Sequence, residues 1–101
     1  MTSHKPVCGI DLVRDERISS ASFEATRYFH EDELDSEKLV SIFALKEAAL
    51  KACGLDHAWL DVHVVYEEGK PTVTVRSFEG EPSCSVSHED GFTVAMVYGW
   101  S

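Results

Sequence analysis

The hydrophobic pattern of this chain changes period as it runs. The stretch VCGIDLV, Val7 to Val13, is apolar and β-branched with a single charge, Asp11, and predicts a strand. Residues 14 to 34 are mixed: RDERI reads as a helical turn, SSAS as a break and FEATRYF as a second short helix. A longer helix follows. With successive residues about 100° apart, Leu39, Phe43 and Leu50 fall in one stripe, and Val40, Glu47 and Lys51 line its shoulder. Asp35 or Ser36 can cap its start, and Gly54 fits the left-handed position after its end. Ala44, Ala48, Ala49 and Ala52 keep the helix thin, so another element can approach closely.

Beyond Gly54 the period becomes two. WLDVHVVYEE sets Leu60, Val62, Val64 and Tyr66 on one face, EGKP reads as a turn around Gly69, and TVTVRS as the returning strand. SCSVSHE and FTVAMVYGW form another strand pair around Glu89-Asp90-Gly91. A strand, then helices, then an antiparallel meander predict an α+β fold, with residues 1–101 as a single domain.

Composition narrows the function classes. At 101 residues and 44% hydrophobic the chain can bury a small core, and small cores favour self-association. No apolar run is long enough to span a bilayer, and MTSHKPVCGIDLV lacks the order of a signal peptide, so a cytoplasmic protein is expected. The net charge of −9 repels phosphate backbones and speaks against nucleic-acid binding. The three cysteines, Cys8, Cys53 and Cys84, show no CxxC spacing and are expected as buried small hydrophobes. The five histidines have no recognised ligand spacing.

Two carboxylates stand in apolar company. Asp11 interrupts a strand and Glu47 edges a helix stripe. Brought together they would repel unless a proton or cation lay between them, and Mg²⁺, bound by carboxylates, phosphates and waters, suits that place. Lys51 could then reach the same phosphate. The alternatives are an ordinary Glu47–Lys51 ion pair one turn apart and an Asp11 that caps a turn. Ser87 and His88 could hold a phosphate; as neighbours in a strand they point to opposite faces, which disfavours a catalytic Ser–His pair.

Several segments together resemble the short, holo-acyl-carrier-protein-synthase type of 4′-phosphopantetheinyl transferase. They are GIDLVRDERI (9–18), FHEDEL (29–34, with His30 where the family has threonine), FALKEAALKACG (43–54), GKP (69–71) and SVSHED (85–90). The resemblance implies transfer of the phosphopantetheine arm of coenzyme A to a carrier-protein serine, with release of 3′,5′-ADP. It implies Asp11 and Glu47 as Mg²⁺ ligands, with Lys51 on a phosphate oxygen and assisting the leaving group. Glu47 or a water on the metal is the implied base, Ser87 and His88 contact coenzyme A phosphates, and Arg14 and Arg17 meet an acyl or peptidyl carrier protein. Val13, where larger relatives carry a second acid, fits the short homotrimeric type. Two departures keep a second reading open, a binding or assembly module without transfer. Ile42 replaces a phosphate-binding arginine, and Asp15 and Glu16 sit between Arg14 and Arg17 in an acidic chain.

Overall fold

The structure, a computed structural model, describes residues 5–19 and 25–100. Its elements are β1 (Pro6–Arg14), α1 (Asp15–Ser19), α2 (Ala25–Tyr28), α3 (Glu31–Leu34), α4 (Leu39–Cys53), a 3₁₀ turn (Trp59–Asp61), β2 (Val62–Glu67), β3 (Lys70–Val75), β4 (Ser83–Glu89) and β5 (Phe92–Trp100). The α+β class holds. The strands do not form one meander: β1, β5 and β4 make a three-stranded antiparallel sheet in that order, and β2–β3 is a separate hairpin. The expected break at SSAS lies, from Ser20 onward, outside the described residues, as do Phe23 and Glu24.

Helix α4 is the axis of the molecule. It packs on β1 and β5 on one side and reaches the β2–β3 hairpin on the other. It is therefore buried nearly all round, from Ser41 to Leu50 with the exception of Glu47, rather than along one stripe. The thin alanine surface has the partner its composition called for. Gly9 of β1 lies so close that a Cβ there would collide with the backbone of Ala48 and Ala52. Valines from every layer complete the core, among them Val13, Val62, Val64, Val73 and Val97.

Local chemistry explains where elements end. Gly54 adopts φ 67°, and Leu55 N–H returns to the carbonyl of Leu50 at 2.9 Å, closing the C-terminus of α4. The tight turns Glu68-Gly69 and Asp90-Gly91 have positive φ at both residues, the geometry that matches strand twist. The start of α4 differs from expectation. Its cap position is Lys38; Ser36 Oγ accepts from the Lys38 amide at 3.0 Å just before the helix, and Asp35 ends α3. Leu60 also departs from the expected strand face, because the 3₁₀ turn delays β2 and leaves it exposed. Cys8 is exposed on the outer side of β1, while Cys53 and Cys84 are half-buried.

Candidate active site

The crossing of β1 over α4 gathers the first group of residues. Alternate residues of β1 face the helix, and Asp11, paired with Ala95 in mid-strand, is one of them. It does not cap a turn. Lys51, on the last turn of α4, reaches across with its ammonium 3.0 Å from Asp11 Oδ1 and 3.0 Å from the Ile10 carbonyl. Asp11 Oδ2 is buried without a hydrogen-bond partner. Glu47 lies one turn before Lys51, but no ion pair joins the two. Its Oε1 accepts the Trp59 indole N–H at 2.6 Å.

A buried ion pair underlies this corner. Lys46 Nζ lies 2.7 Å from Glu33 Oε1, and both side chains are fully buried. The remaining capacity is used: Lys46 donates to the carbonyls of Tyr28 and Trp59, and Glu33 accepts from the amides of His30 and Val64. Burial pushes the Lys46 ammonium below the usual lysine range, and Glu33 pushes it back up. Neither residue stands out by charge pattern alone. Only the burial of three short elements around one ammonium reveals the tie.

The β4–β5 end supplies a second group. Ser87 faces out, in a cleft with Leu12, Glu89, Phe92 and Val94. His88 is exposed as well but points to the opposite face, so no Ser87–His88 pair forms. Instead His88 Nε2 lies 3.1 Å from Ser41 Oγ and Nδ1 lies 2.7 Å from Thr93 Oγ1. The Thr93 hydroxyl donates to Asp15 Oδ1 at 2.7 Å, so it must accept from Nδ1–H of His88. That fixes the proton on Nδ1 and chains α4, β4, β5 and α1 together. Sequence spacing gave no sign of this chain, because its members lie up to 78 positions apart.

Of the expected docking residues, Arg14 keeps an acidic neighbour at its side. Arg14 lies over the Phe92 ring, 5.3 Å from its centroid, and 3.8 Å from Glu16, while Arg17 is exposed. Asp15 is drawn toward Thr93. Ile42 is 1% exposed, a core residue that presents nothing to a ligand. One turn earlier, exposed Lys38 shares a cleft with Ser41, Tyr66, the Gly69–Pro71 turn and His88.

This β1–α4 crossing with its hairpin and its β4–β5 cleft has close counterparts. Residues 7–97 match the family described as the 4′-phosphopantetheinyl transferase superfamily. The chain belongs to that superfamily. A holo-[acyl-carrier-protein] synthase of Exiguobacterium sibiricum is 36% identical over 87 residues, spanning 81% of this chain and 67% of the relative. Another from Geobacter metallireducens is 34% identical and covers 87% of this chain and 89% of its own. Among solved structures, a Bacillus anthracis holo-(acyl-carrier-protein) synthase in complex with CoA (3′,5′-ADP) superposes with a TM-score of 0.77 at 30% identity. It covers 94% of this chain and 96% of its own. The Helicobacter pylori synthase in complex with coenzyme A gives 0.70 at 28% identity, covering 89% and 96%. Within the superfamily, the chain is thus a transferase of the short holo-acyl-carrier-protein-synthase type.

Proposed function

We propose that this protein moves the 4′-phosphopantetheine arm of coenzyme A onto a serine of an acyl or peptidyl carrier protein, with Mg²⁺ as its cofactor. The observation that carries the reading is the meeting of Asp11 and Lys51 at the β1–α4 crossing, within a fold shared with coenzyme A-bound synthases. The residues fit the metal. Asp11 keeps one buried carboxylate oxygen without a partner, and hard oxygen donors are what Mg²⁺ takes. Among the described residues no group of three His, Cys, Asp or Glu that could hold a metal is found, so phosphate oxygens and water would have to complete the shell. Asp11 and Glu47 would hold it, and it would supply charge neutralisation at the diphosphate.

The serine oxygen of the carrier attacks the phosphorus that bears the pantetheine arm. The bond to the bridging oxygen breaks, and 3′,5′-ADP leaves with the electron pair. Positioning and electrostatics do most of such work. Glu47, or a water that the metal would hold, is the candidate acceptor of the serine proton. Lys51, 55% exposed at its side chain, can swing from Asp11 to a phosphate oxygen and stabilise the departing charge. Ser87 and Lys38 border the clefts for coenzyme A phosphates, and Lys38 offers a cation where Ile42 offers none. His88 could join a phosphate only by giving up Ser41 and carrying a proton on Nε2 as well as on Nδ1. Arg14, just before α1, and Arg17, on α1, would face the carrier, with Asp15 bound by Thr93. The apolar outer face of the β1–β5–β4 sheet favours a homotrimer.

The test is direct. The protein is mixed with coenzyme A, Mg²⁺ and apo-carrier, and the carrier is weighed by mass spectrometry for the added phosphopantetheine. Transfer that depends on Glu47 supports the reading. A Glu47→Ala variant with full activity removes Glu47 from the mechanism, and failure with every carrier tried favours the assembly module.

A further inference from the structure

We infer that Trp59 is a positioning residue for Glu47: its indole N–H fixes the carboxylate so that the remaining oxygen is presented to Mg²⁺. The inference rests on the reading above and extends it to a residue outside the proposed ligand set. Four observations carry it. The bond itself is short, 2.6 Å from Nε1 to Oε1, as expected when the acceptor is a carboxylate. The donor has one proton and no acceptor capacity, so it can only hold an oxygen and never compete as a ligand. A carboxylate tied at one oxygen loses rotamer freedom before a metal arrives, and such outer partners orient ligands at metal sites generally.

The indole is itself immobilised, which is the third observation. Its ring meets Tyr28 edge-on at 4.5 Å and His57 at 5.1 Å. The fourth lies beneath. The Trp59 carbonyl accepts from Lys46 Nζ at 3.1 Å and the Tyr28 carbonyl from the same ammonium at 2.8 Å. The buried Lys46–Glu33 pair therefore clamps the backbone of both aromatic residues. A run of fixed groups leads from Glu33 through Lys46 and Trp59 to Glu47. It explains why Glu47, unlike its neighbours in α4, is only half-buried yet still anchored.

The experiment reads the bond and the metal separately. In ¹H–¹⁵N spectra of the whole protein, the Trp59 indole resonance, assigned apart from that of Trp100, is expected to move in Glu47→Gln and on addition of Mg²⁺ with coenzyme A. Calorimetry of Mg²⁺ binding in the presence of coenzyme A is expected to show a loss of about 10- to 100-fold in Trp59→Phe. The Mg²⁺ concentration that gives half-maximal transfer is expected to rise by the same factor in that variant. A Trp59→Phe protein that binds Mg²⁺ like the parent overturns the inference, as does an indole resonance that ignores Glu47→Gln. The resonance test needs no change at position 59, so it stands even if Trp59→Phe fails to fold. A parent that takes up no Mg²⁺ overturns the inference through the metal reading beneath it. An indole that still follows Glu47→Gln distinguishes that failure from an absent bond.

Discussion

Lys51 spans from the last turn of α4 to the middle of β1, where it meets Asp11 at 3.0 Å. The two side chains differ in exposure, 55% for Lys51 and 12% for Asp11, so this is a rim pair over a partly sheltered acid. Exposed pairs contribute at most about 1 kcal/mol to stability. A charge placed at a departing phosphate contributes far more to rate, about 10²- to 10³-fold for one donor. Lys51→Ala should therefore lose about 10²-fold in kcat while its urea midpoint hardly moves. Asp11→Asn should weaken Mg²⁺ binding measured by calorimetry. A Lys51→Ala protein that unfolds readily would make the pair structural instead.

The Glu33–Lys46 pair should behave in the opposite way. Both side chains are fully buried, and apart from each other they bond backbone groups. Removing one member leaves the other charged and unpaired, at a cost of about 3–5 kcal/mol. Lys46→Met and Glu33→Gln should each lower stability by that order in denaturant titrations. The double variant should lose less than the sum, because the second change removes the charge the first stranded. Strict additivity would mean the two residues do not act as a pair.

Much of the architecture was legible because each element carries its own period or punctuation. The alanine-rich face of α4, the glycine after it and the Glu68-Gly69 and Asp90-Gly91 turns all mean locally what they mean in the fold. Asp11 and Glu47 stood out too, as carboxylates in apolar company, but their pairing with Lys51 and Trp59 did not. What the sequence hid was long-range. The placement of β1 beside β5 depends on pairing across more than eighty positions, Asp11 with Ala95, which no local pattern encodes. Trp59 and Lys46 drew no reading of their own, because only the 3₁₀ turn and α2 bring carbonyls and an indole onto α4. His88 read as a candidate phosphate contact because Ser41, Thr93 and Asp15 belong to three other elements.

The half-buried cysteines allow a test of pH dependence. Burial pushes the Cys53 and Cys84 thiols above the usual range, and the Cys84 Sγ lies 3.5 Å from the Pro71 carbonyl, a bond only the protonated thiol can donate. The thiolate is the nucleophile. A raised pKa means fewer thiolates at any given pH, so alkylation of both should lag behind an unfolded control at about pH 8.5 and approach it only at higher pH. The folded state favours the thiol, so this contribution to stability is complete below the unfolded pKa and lost as pH rises through the folded one. Mass-resolved labelling across pH checks the order. Native labelling as fast as in the unfolded chain would contradict it.

The outer face of the three-stranded sheet carries the last prediction. Ile10 and Leu12 from β1 are 58% and 64% exposed, and they pair with Met96 and Val94 of β5 in register. Met96, Tyr98 and Trp100 continue the surface at 39%, 44% and 64% exposure. Soluble monomers rarely leave so continuous an apolar face in water. Side chains on one face of a strand alternate, so a single substitution here leaves the α4-facing core untouched. Leu12→Glu should therefore reduce the mass found by analytical ultracentrifugation from three chains toward one, with near-native circular dichroism. It places a charge where an apolar contact is expected, and an unpaired buried charge opposes association strongly. A parent protein that sediments as a single chain, or a Leu12→Glu variant that stays a trimer, would show that this face is not the interface.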